Sequence, residues 1–306
     1  MNKERIKLYS QLLLFYTLLV ILWGAWVRIS HSGDGCGDTW PLCQGQIIPD
    51  ALQKKTWIEY AHRMMSGLYG LFVVYFYWVV RRFFPMNSEA RGYALLTLIF
   101  MITEALLGAK LVLFGLVGSN SGFFRAFAMS LHQMNSLLLM GSTAAFVFSF
   151  KNQQQTWYPK KIMESFFKEN KFLLVLILVA ITGAWAALST TLFPSLSLLS
   201  GFQEDFSQNS HFLLKIRLSH PILALSLIGF FVISFYKKSL NEQIPTRLRK
   251  INFQTSLVGA IALIFGLLTL FFLSPTWMKL SHLALAHILW IMMVRQAVIS
   301  LDSAKR

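Results

Sequence analysis

Long runs of apolar residues, separated by short polar stretches, dominate the chain. Eight of these runs have about the 20 residues that an α-helix needs to cross the hydrocarbon core of a membrane. The eight runs lie at approximately 8–28, 58–80, 93–116, 124–150, 172–191, 212–236, 251–274 and 279–300. The pattern predicts an all-α, polytopic membrane protein with eight transmembrane helices.

The composition agrees with this prediction and excludes several other classes of protein. Only 13% of the 306 residues are charged and the mean hydropathy is +0.54, whereas a soluble globular chain carries about 25% charged residues. A soluble enzyme, a disordered chain and a disulfide-rich secreted module are therefore excluded. The net charge of +15 does not indicate a nucleic-acid partner, because the basic residues are confined to short connections between apolar runs.

The placement of Lys and Arg predicts the orientation of the chain. Basic residues are frequent at both termini and in the connections 81–91, 151–171 and 237–250, and they are rare in 29–57 and 192–211. Because positively charged connections stay on the cytoplasmic side, both termini are expected in the cytoplasm. The chain shows no Arg/Ser-rich amphipathic leader, which favours a bacterial inner membrane over a mitochondrial one.

The same four-helix unit is predicted to occur twice in the chain. Three landmarks recur in the same order at offsets of 159, 158 and 155 residues. They pair Gly24-Ala25-Trp26 with Gly183-Ala184-Trp185, His62 with His220, and His132 with His287. An even number of spans gives both units one orientation. We therefore expect two tandem four-helix bundles, 1–150 and 172–306, joined by a basic cytoplasmic linker at 151–171.

Four histidines occupy matching places in the two units and predict iron ligands. His62, His132, His220 and His287 are expected on even-numbered helices, roughly 7–12 Å below the external surface. Two neutral imidazoles that face each other across a bundle can bind a heme iron, whereas zinc would need more ligands. No ligand role is assigned to His282, which lies about 140° round the helix from His287 and near the interface.

Two acidic residues lie clearly within the predicted spans. Glu59 precedes His62 by three residues and shares its helix face, where a carboxylate can exchange a proton or stabilise a positive charge. The second unit has no acid at that place, which suggests one catalytic heme site and one that only holds a heme. The alternative for Glu59 is a structural ion pair with Arg63 or Lys55. Glu104 is left with either a structural or a proton-path role.

Both cysteines, Cys36 and Cys43, fall in the first predicted external loop, on the oxidising side where disulfides persist. The Gly and Pro residues between and beside them let the chain turn back. A disulfide is therefore favoured over two free thiols. A metal pair is the weaker alternative, because only His31 is nearby as a further ligand.

These residues resemble the motifs of the heme A synthase family, and the resemblance covers nearly the whole chain. It is most specific in the first half. The residues that carry it are Gly24-Ala25, Val27-Arg28, Gly35-Cys36, Trp40-Pro41-Leu42-Cys43, Ile58-Glu59-Tyr60-Ala61-His62-Arg63, Glu104-Ala105-Leu106-Leu107-Gly108-Ala109, Leu131-His132 and Leu285-Ala286-His287. The second half departs from the family pattern, because it lacks a second Cys pair and Pro221 follows His220.

The resemblance implies an oxidoreductase that makes heme A for terminal oxidases. Its substrate would be heme O, of which one methyl group is hydroxylated successively and loses water to become a formyl group. The implied site residues are Glu59 as the catalytic carboxylate, His62 and His132 on the substrate heme, His220 and His287 on a permanent heme b, and Cys36 and Cys43 as a disulfide. Arg28 and Arg63 are expected to contact heme propionates.

Two other functions compete with this interpretation. A diheme cytochrome b-type electron carrier would use the four histidines but would leave Glu59 and the Cys loop without a task. A transporter is disfavoured, because paired Gly/Pro interruptions of the spans are missing. The sequence leaves open the electron acceptor, the oxygen source, whether a heme O synthase docks beside the chain in the lipid, and whether the chain forms a homo-oligomer.

Overall fold

The computed structural model describes residues 3–50, 52–150 and 171–304, and helices are the only extended regular elements within them. The all-α prediction is confirmed for these residues, while nearly all of the predicted linker 151–171 lies outside them. The helices are α1 (Lys3–Ile29), α2 (Lys54–Phe83), α3 (Glu89–Leu113), α4 (Phe123–Phe148), α5 (Lys171–Leu192), α6 (Leu198–Phe206), α7 (Phe212–Arg217), α8 (Ser219–Leu223), α9 (Gly229–Leu240), α10 (Thr246–Phe271) and α11 (Thr276–Ala304).

Among the described helices, seven are long and apolar enough to cross a membrane. They are α1, α2, α3, α5, the continuous segment Phe212–Leu240, α10 and α11. The chain is therefore a multi-pass membrane protein. Helix α4 has 26 residues but is not among the seven, since Arg125, Gln133 and Asn135 reduce its apolar character. The eighth predicted span therefore stays a prediction.

Helix α4 can carry polar residues in a membrane protein because neighbouring helices cover most of its surface. It contacts α1 and α3 on one side and α5 and α11 on the other. Where α4 meets α11, a Cβ on Gly141 would lie only 3.0 Å from Nε1 of Trp290, a side chain that is itself buried. A larger residue at 141 would push the two helices apart, so this glycine sets their close approach.

Two apolar cores lie on either side of this contact. One lies among α1, α2, α3 and α4 and is built around Tyr69, Phe76 and Phe146. The other joins α4 and α5 to the Phe212–Leu240 segment and α11, around Leu173, Trp290 and Met293. The chain thus packs its first four helices together and its later helices together, with α1, α4, α5 and α11 in contact between them.

The segment Phe212–Leu240 is irregular where α2 is continuous. Helix α7 ends at Arg217, α8 begins at Ser219, and a π-helical turn spans Ala224–Ile228 before α9. Pro221 has no backbone N–H to donate, which breaks the regular hydrogen-bond ladder of an α-helix. Such π-helical turns are often found at functional sites, and this one directly follows the short helix that carries His220.

Candidate functional site

Two of the predicted ligands pack on glycines of the preceding helix. A Cβ on Gly24 of α1 would lie 2.8 Å from Cε1 of His62, and a Cβ on Gly183 of α5 would lie 2.9 Å from Cε1 of His220. Only glycine leaves room for an imidazole at these distances. The recurring glycine and the recurring histidine found in the sequence therefore touch each other in both halves of the chain.

A second glycine–histidine contact also recurs in the two halves. A Cβ on Gly108 of α3 would lie 3.8 Å from Cε1 of His132, and a Cβ on Gly266 of α10 would lie 2.7 Å from Cε1 of His282. The two glycines are 158 residues apart, the same offset that relates His62 to His220. In the second half the counterpart of His132 is therefore His282 by contact, although the sequence analysis gave that place to His287.

The structure brings the rings of His220 and His282 together in an edge-on arrangement, with an angle of 68° between their planes. Their ring centroids are 6.1 Å apart, and both line a cavity of about 370 Å³. Each metal–imidazole bond is about 2 Å long, so two rings that share one metal have centroids roughly 6 Å apart. His287 lines the same cavity, but it is fully buried and its Nδ1 lies 2.9 Å from the carbonyl oxygen of Leu283.

The histidines carry polar atoms without partners, which fits the binding of an absent group. Nδ1 of His62, His132 and His282 and Nε2 of His287 are buried without a hydrogen bond in the described part of the chain. Buried polar atoms normally have a partner. The described residues contain no cluster of three or more His, Cys, Asp or Glu that could enclose a bare metal ion. Paired neutral imidazoles beside an apolar cavity fit a heme iron better than zinc.

Cationic side chains lie at the edge of the same cavity. Arg28 of α1 and Lys279 of α11 both line it. Arg28 forms no ion pair within the described residues and its Nε has no hydrogen-bond partner, while Lys279 lies 3.3 Å from the Thr191 hydroxyl. A guanidinium without a carboxylate in a largely apolar wall is suited to bind an anion such as a carboxylate.

The loop between α1 and α2 is closed by a disulfide between Cys36 and Cys43, whose Cα atoms are 4.4 Å apart. The predicted disulfide is therefore present. Both cysteines are buried, because the loop folds down onto the beginning of α2. Thr56 donates a hydrogen bond of 2.8 Å to the carbonyl of Gly35, which fixes the loop directly above the helix turn that carries Glu59.

Glu59 joins this loop to α2 and is 3% exposed. One carboxylate oxygen accepts the Cys36 N–H at 2.8 Å, and the other accepts Nη2 of Arg63 at 2.6 Å. Of the two structural partners considered from sequence, Arg63 is the one observed, while Lys55 pairs with Asp34 at 3.5 Å.

Arg63 is committed to the loop and to Glu59. It directs its N–H groups to Glu59 and to the carbonyls of Thr39 and Leu42. This occupies four of the five donors of a guanidinium. The described contacts of Arg63 are thus to protein, and its predicted contact with a heme propionate stays a prediction.

Arg217 takes the place of Glu59 in the second half, 158 residues later. Its Nε lies 2.6 Å from Oδ1 of Asp205 in α6, and Nη2 donates to the carbonyl of Gly201 at 2.9 Å. Burial raises the pKa of the Asp205 carboxyl above its ordinary value, and the Arg217 charge opposes that shift. In both halves, therefore, a segment that connects two long helices is attached to the residue three positions before a histidine. That residue is acidic in the first half and basic in the second.

Glu104 is the site residue that sequence reasoning left without a definite role. Its Oε1 lies 3.5 Å from Nδ1 of His132, and its Oε2 accepts a hydrogen bond of 2.7 Å from Nδ2 of Asn135. His132 and Asn135 are distant from Glu104 in the sequence, so only the packing of α3 against α4 reveals these contacts. The first half thus holds two carboxylates close to its histidines.

Comparison with known proteins places the chain in a family. The model of the cytochrome oxidase assembly protein family, COX15-CtaA, matches residues 7–294. The chain belongs to this family. Heme A synthase of Alkalihalophilus pseudofirmus is 41% identical over 113 residues, which cover 37% of this chain and 38% of that protein. Heme A synthase of Halalkalibacterium halodurans is 40% identical over 111 residues, 36% of this chain and 37% of that protein. The predicted family resemblance is confirmed.

A longer relative covers almost the whole chain. A Thermus thermophilus protein named protoheme IX farnesyltransferase is 36% identical over 307 residues, which are 99% of this chain and 50% of that protein. The chain therefore spans half or less of the length of these curated relatives.

Proposed function

We propose that the chain is a heme A synthase, an oxidoreductase that converts one methyl group of heme O to a formyl group. The observation that carries the proposal is the recurrence of partly buried histidines on glycines in both halves, with His220 and His282 at 6.1 Å between ring centroids. Membership of the cytochrome oxidase assembly family and the two relatives named heme A synthase support it.

The architecture that this function requires is two tandem four-helix bundles, 1–150 and 172–306, in one orientation. Helix α4 is then the eighth span. Its polar residues are covered by α1, α3, α5 and α11, so they would face protein rather than lipid, as polar groups of membrane helices do.

The second bundle would hold a permanent heme b. His220 and His282 are the ligands that the ring geometry favours, and this replaces the pair of His220 and His287 inferred from sequence. His287 remains the alternative, since it lines the same cavity. Arg28 and Lys279 would bind propionates at the cavity edge. When bound, a bis-histidine heme supplies one-electron transfer.

The first bundle would bind heme O through His62 and His132. The disulfide loop, which packs on the beginning of α2 through Thr56 and Gly35, would limit the entry of water. Glu59 lies one helical turn from His62 and is held by Cys36 N–H and Arg63. In this position its carboxylate can stabilise positive charge developing at the substrate carbon or take up a proton.

The location and partners follow from the same proposal. The protein would lie in a bacterial inner membrane with both termini in the cytoplasm and its heme sites toward the external side. A heme O synthase would supply the substrate. The Thermus relative supports that partner, because a protein with the name of a farnesyltransferase contains a region similar to this whole chain. An electron acceptor outside the chain must take up the electrons released.

Heme analysis of membranes tests the function directly. The chain is expressed with a heme O synthase in a host that makes no heme A, and the extracted hemes are separated and weighed by mass spectrometry. We expect heme A in the presence of the chain and only heme O in its absence. An inactive His62→Ala variant, made in equal amount, is the control. Heme O alone in membranes that contain the folded, heme-loaded wild-type protein would contradict the proposal.

A further inference from the structure

The two halves differ in what lies behind the histidines of their fourth helices. In the first half, Oε1 of Glu104 lies 3.5 Å from Nδ1 of His132, yet that nitrogen makes no hydrogen bond. In the second half, the residue 158 positions after Glu104 is Ala262, which lines the cavity. A carboxyl group therefore stands beside His132, whereas the corresponding position of the second half is an alanine.

Glu104 is held in place by an amide whose orientation is fixed. Asn135 donates one Nδ2–H to the carbonyl of Phe100 at 2.8 Å and the other to Oε2 of Glu104 at 2.7 Å. Its Oδ1 accepts a hydrogen bond of 2.7 Å from Thr103. The oxygen and the NH2 group of the Asn135 amide both have partners only in this orientation. Oε2 of Glu104 is therefore bound to Asn135, and Oε1 is directed toward His132.

The second half lacks this whole arrangement. The residue 158 positions after Thr103 is Ile261, and the residue 150 positions after Asn135, the separation of His132 and His282, is Leu285; both are apolar. Nδ1 of His282, the counterpart of His132, has no hydrogen-bond partner among the described residues. Nδ1 of His220, the other candidate ligand of this half, lies 3.1 Å from the backbone carbonyl of Val179. A neutral backbone carbonyl and a carboxyl group are acceptors of different strength for an imidazole N–H.

We propose that Glu104 is a positioning residue that, when heme is bound, accepts the Nδ1–H of His132, fixes its Nε2 as the ligand atom and gives the first heme a lower reduction potential than the second. The inference rests on the proposed heme site at His62 and His132. An acceptor behind a ligating histidine fixes the tautomer and ring orientation and makes the ligand more basic, which favours the oxidised iron. The first half would thus differ from the second in the acceptor beside its ligating histidine as well as in Glu59.

The test uses the purified full-length protein loaded with protoheme, which can occupy the same ligands without being converted. The low-spin signal of the first site is assigned by its loss in His132→Ala. Potentiometric titration then compares wild type with Glu104→Ala, Glu104→Gln and the control Lys110→Gln, an exposed residue of the same helix. The heme of the second site is an internal reference.

We expect Glu104→Ala to raise the potential of the first heme and weaken its binding by roughly 10- to 100-fold. The second heme should not change. Glu104→Gln, which keeps an acceptor oxygen, should recover most of the affinity but not the low potential. A wild-type potential and affinity in Glu104→Ala would overturn the inference. Failure of wild-type protein to bind heme at His132 would instead overturn the proposed function, so the two failures are distinguishable.

Discussion

Glu59→Gln separates the contacts by which the Glu59 carboxylate anchors the loop between α1 and α2 from its proposed action on the substrate. Its oxygens accept hydrogen bonds from two different donors, the Cys36 N–H and the Arg63 guanidinium. Glutamine has the same size but only one acceptor oxygen. One of the two donors must therefore lose its partner in the variant.

The cost to folding can be bounded from the burial of the pair. The Arg63 side chain is 10% exposed and that of Glu59 is 4% exposed. Removing one partner of a buried ion pair costs about 3–5 kcal/mol. Arg63 keeps its bonds to two loop carbonyls and glutamine keeps one acceptor, so we expect a loss of about 2 kcal/mol in the free energy of unfolding. Loss of a general acid or base lowers a rate about 10²- to 10⁴-fold. We therefore expect the variant to lose more heme A production than its reduced stability alone would explain.

A double variant distinguishes the anchor from the catalyst. Glu59→Gln with Arg63→Gln removes both charges, which is less costly than leaving one buried charge alone. We expect the unfolding temperature in detergent to recover partly toward the wild-type value. The heme A content of extracted membranes should stay at least about 100-fold below wild type. Recovery of heme A together with stability would show that Glu59 only anchors the loop, and wild-type heme A in the single variant would refute its catalytic role.

Three further changes have expected outcomes. Replacing Cys36 and Cys43 together by serine should cost about 2–3 kcal/mol and loosen the loop, seen as a lower unfolding temperature; an unchanged temperature would argue against a stabilising role. Gly183→Ala places a Cβ 2.9 Å from His220 and should remove the low-spin spectrum of the second heme, whereas Gly229→Ala, with open space around it, should leave that spectrum intact. Asp205→Asn should weaken the attachment of α6 to Arg217 and increase protease cleavage within 198–206; cleavage at the wild-type rate would contradict this.

Much of the fold follows from the sequence, because apolar runs of spanning length leave little choice of structure. The predicted runs coincide with helices throughout the described residues, within several residues at each end. The disulfide also follows from local sequence, since both cysteines lie in one loop that folds back. The run 124–150 also coincides with a helix, α4. That other helices cover the polar residues of α4 depends on tertiary packing and has no local signal in the sequence.

The proposal of His282 as the ligand on the last helix depends on tertiary contacts. His282 and His287 are both on α11, and counting residues from a predicted helix end does not give the direction of each side chain. One local signal favours His282 in retrospect, since a small residue follows each contacting histidine by four positions. These residues are Ser66, Ser136, Ala224 and Ala286, while Ile291 follows His287. A small residue one turn along leaves space beside the imidazole.

Glu104 shows the other limit of sequence reasoning. Its contact with His132 depends on how α3 packs against α4, and the supporting amide of Asn135 lies on the second of these helices. Nothing in the immediate sequence of Glu104 indicates either neighbour.

The heme content of purified ligand variants tests most directly whether the partly buried histidines form two heme sites, as we propose. Wild-type protein loaded with protoheme should contain two low-spin hemes with bis-imidazole spectra. His282→Ala should lose the second heme while His287→Ala keeps it, and His132→Ala should lose only the first. Two normal low-spin hemes in a folded His220→Ala, His282→Ala double variant would contradict the account.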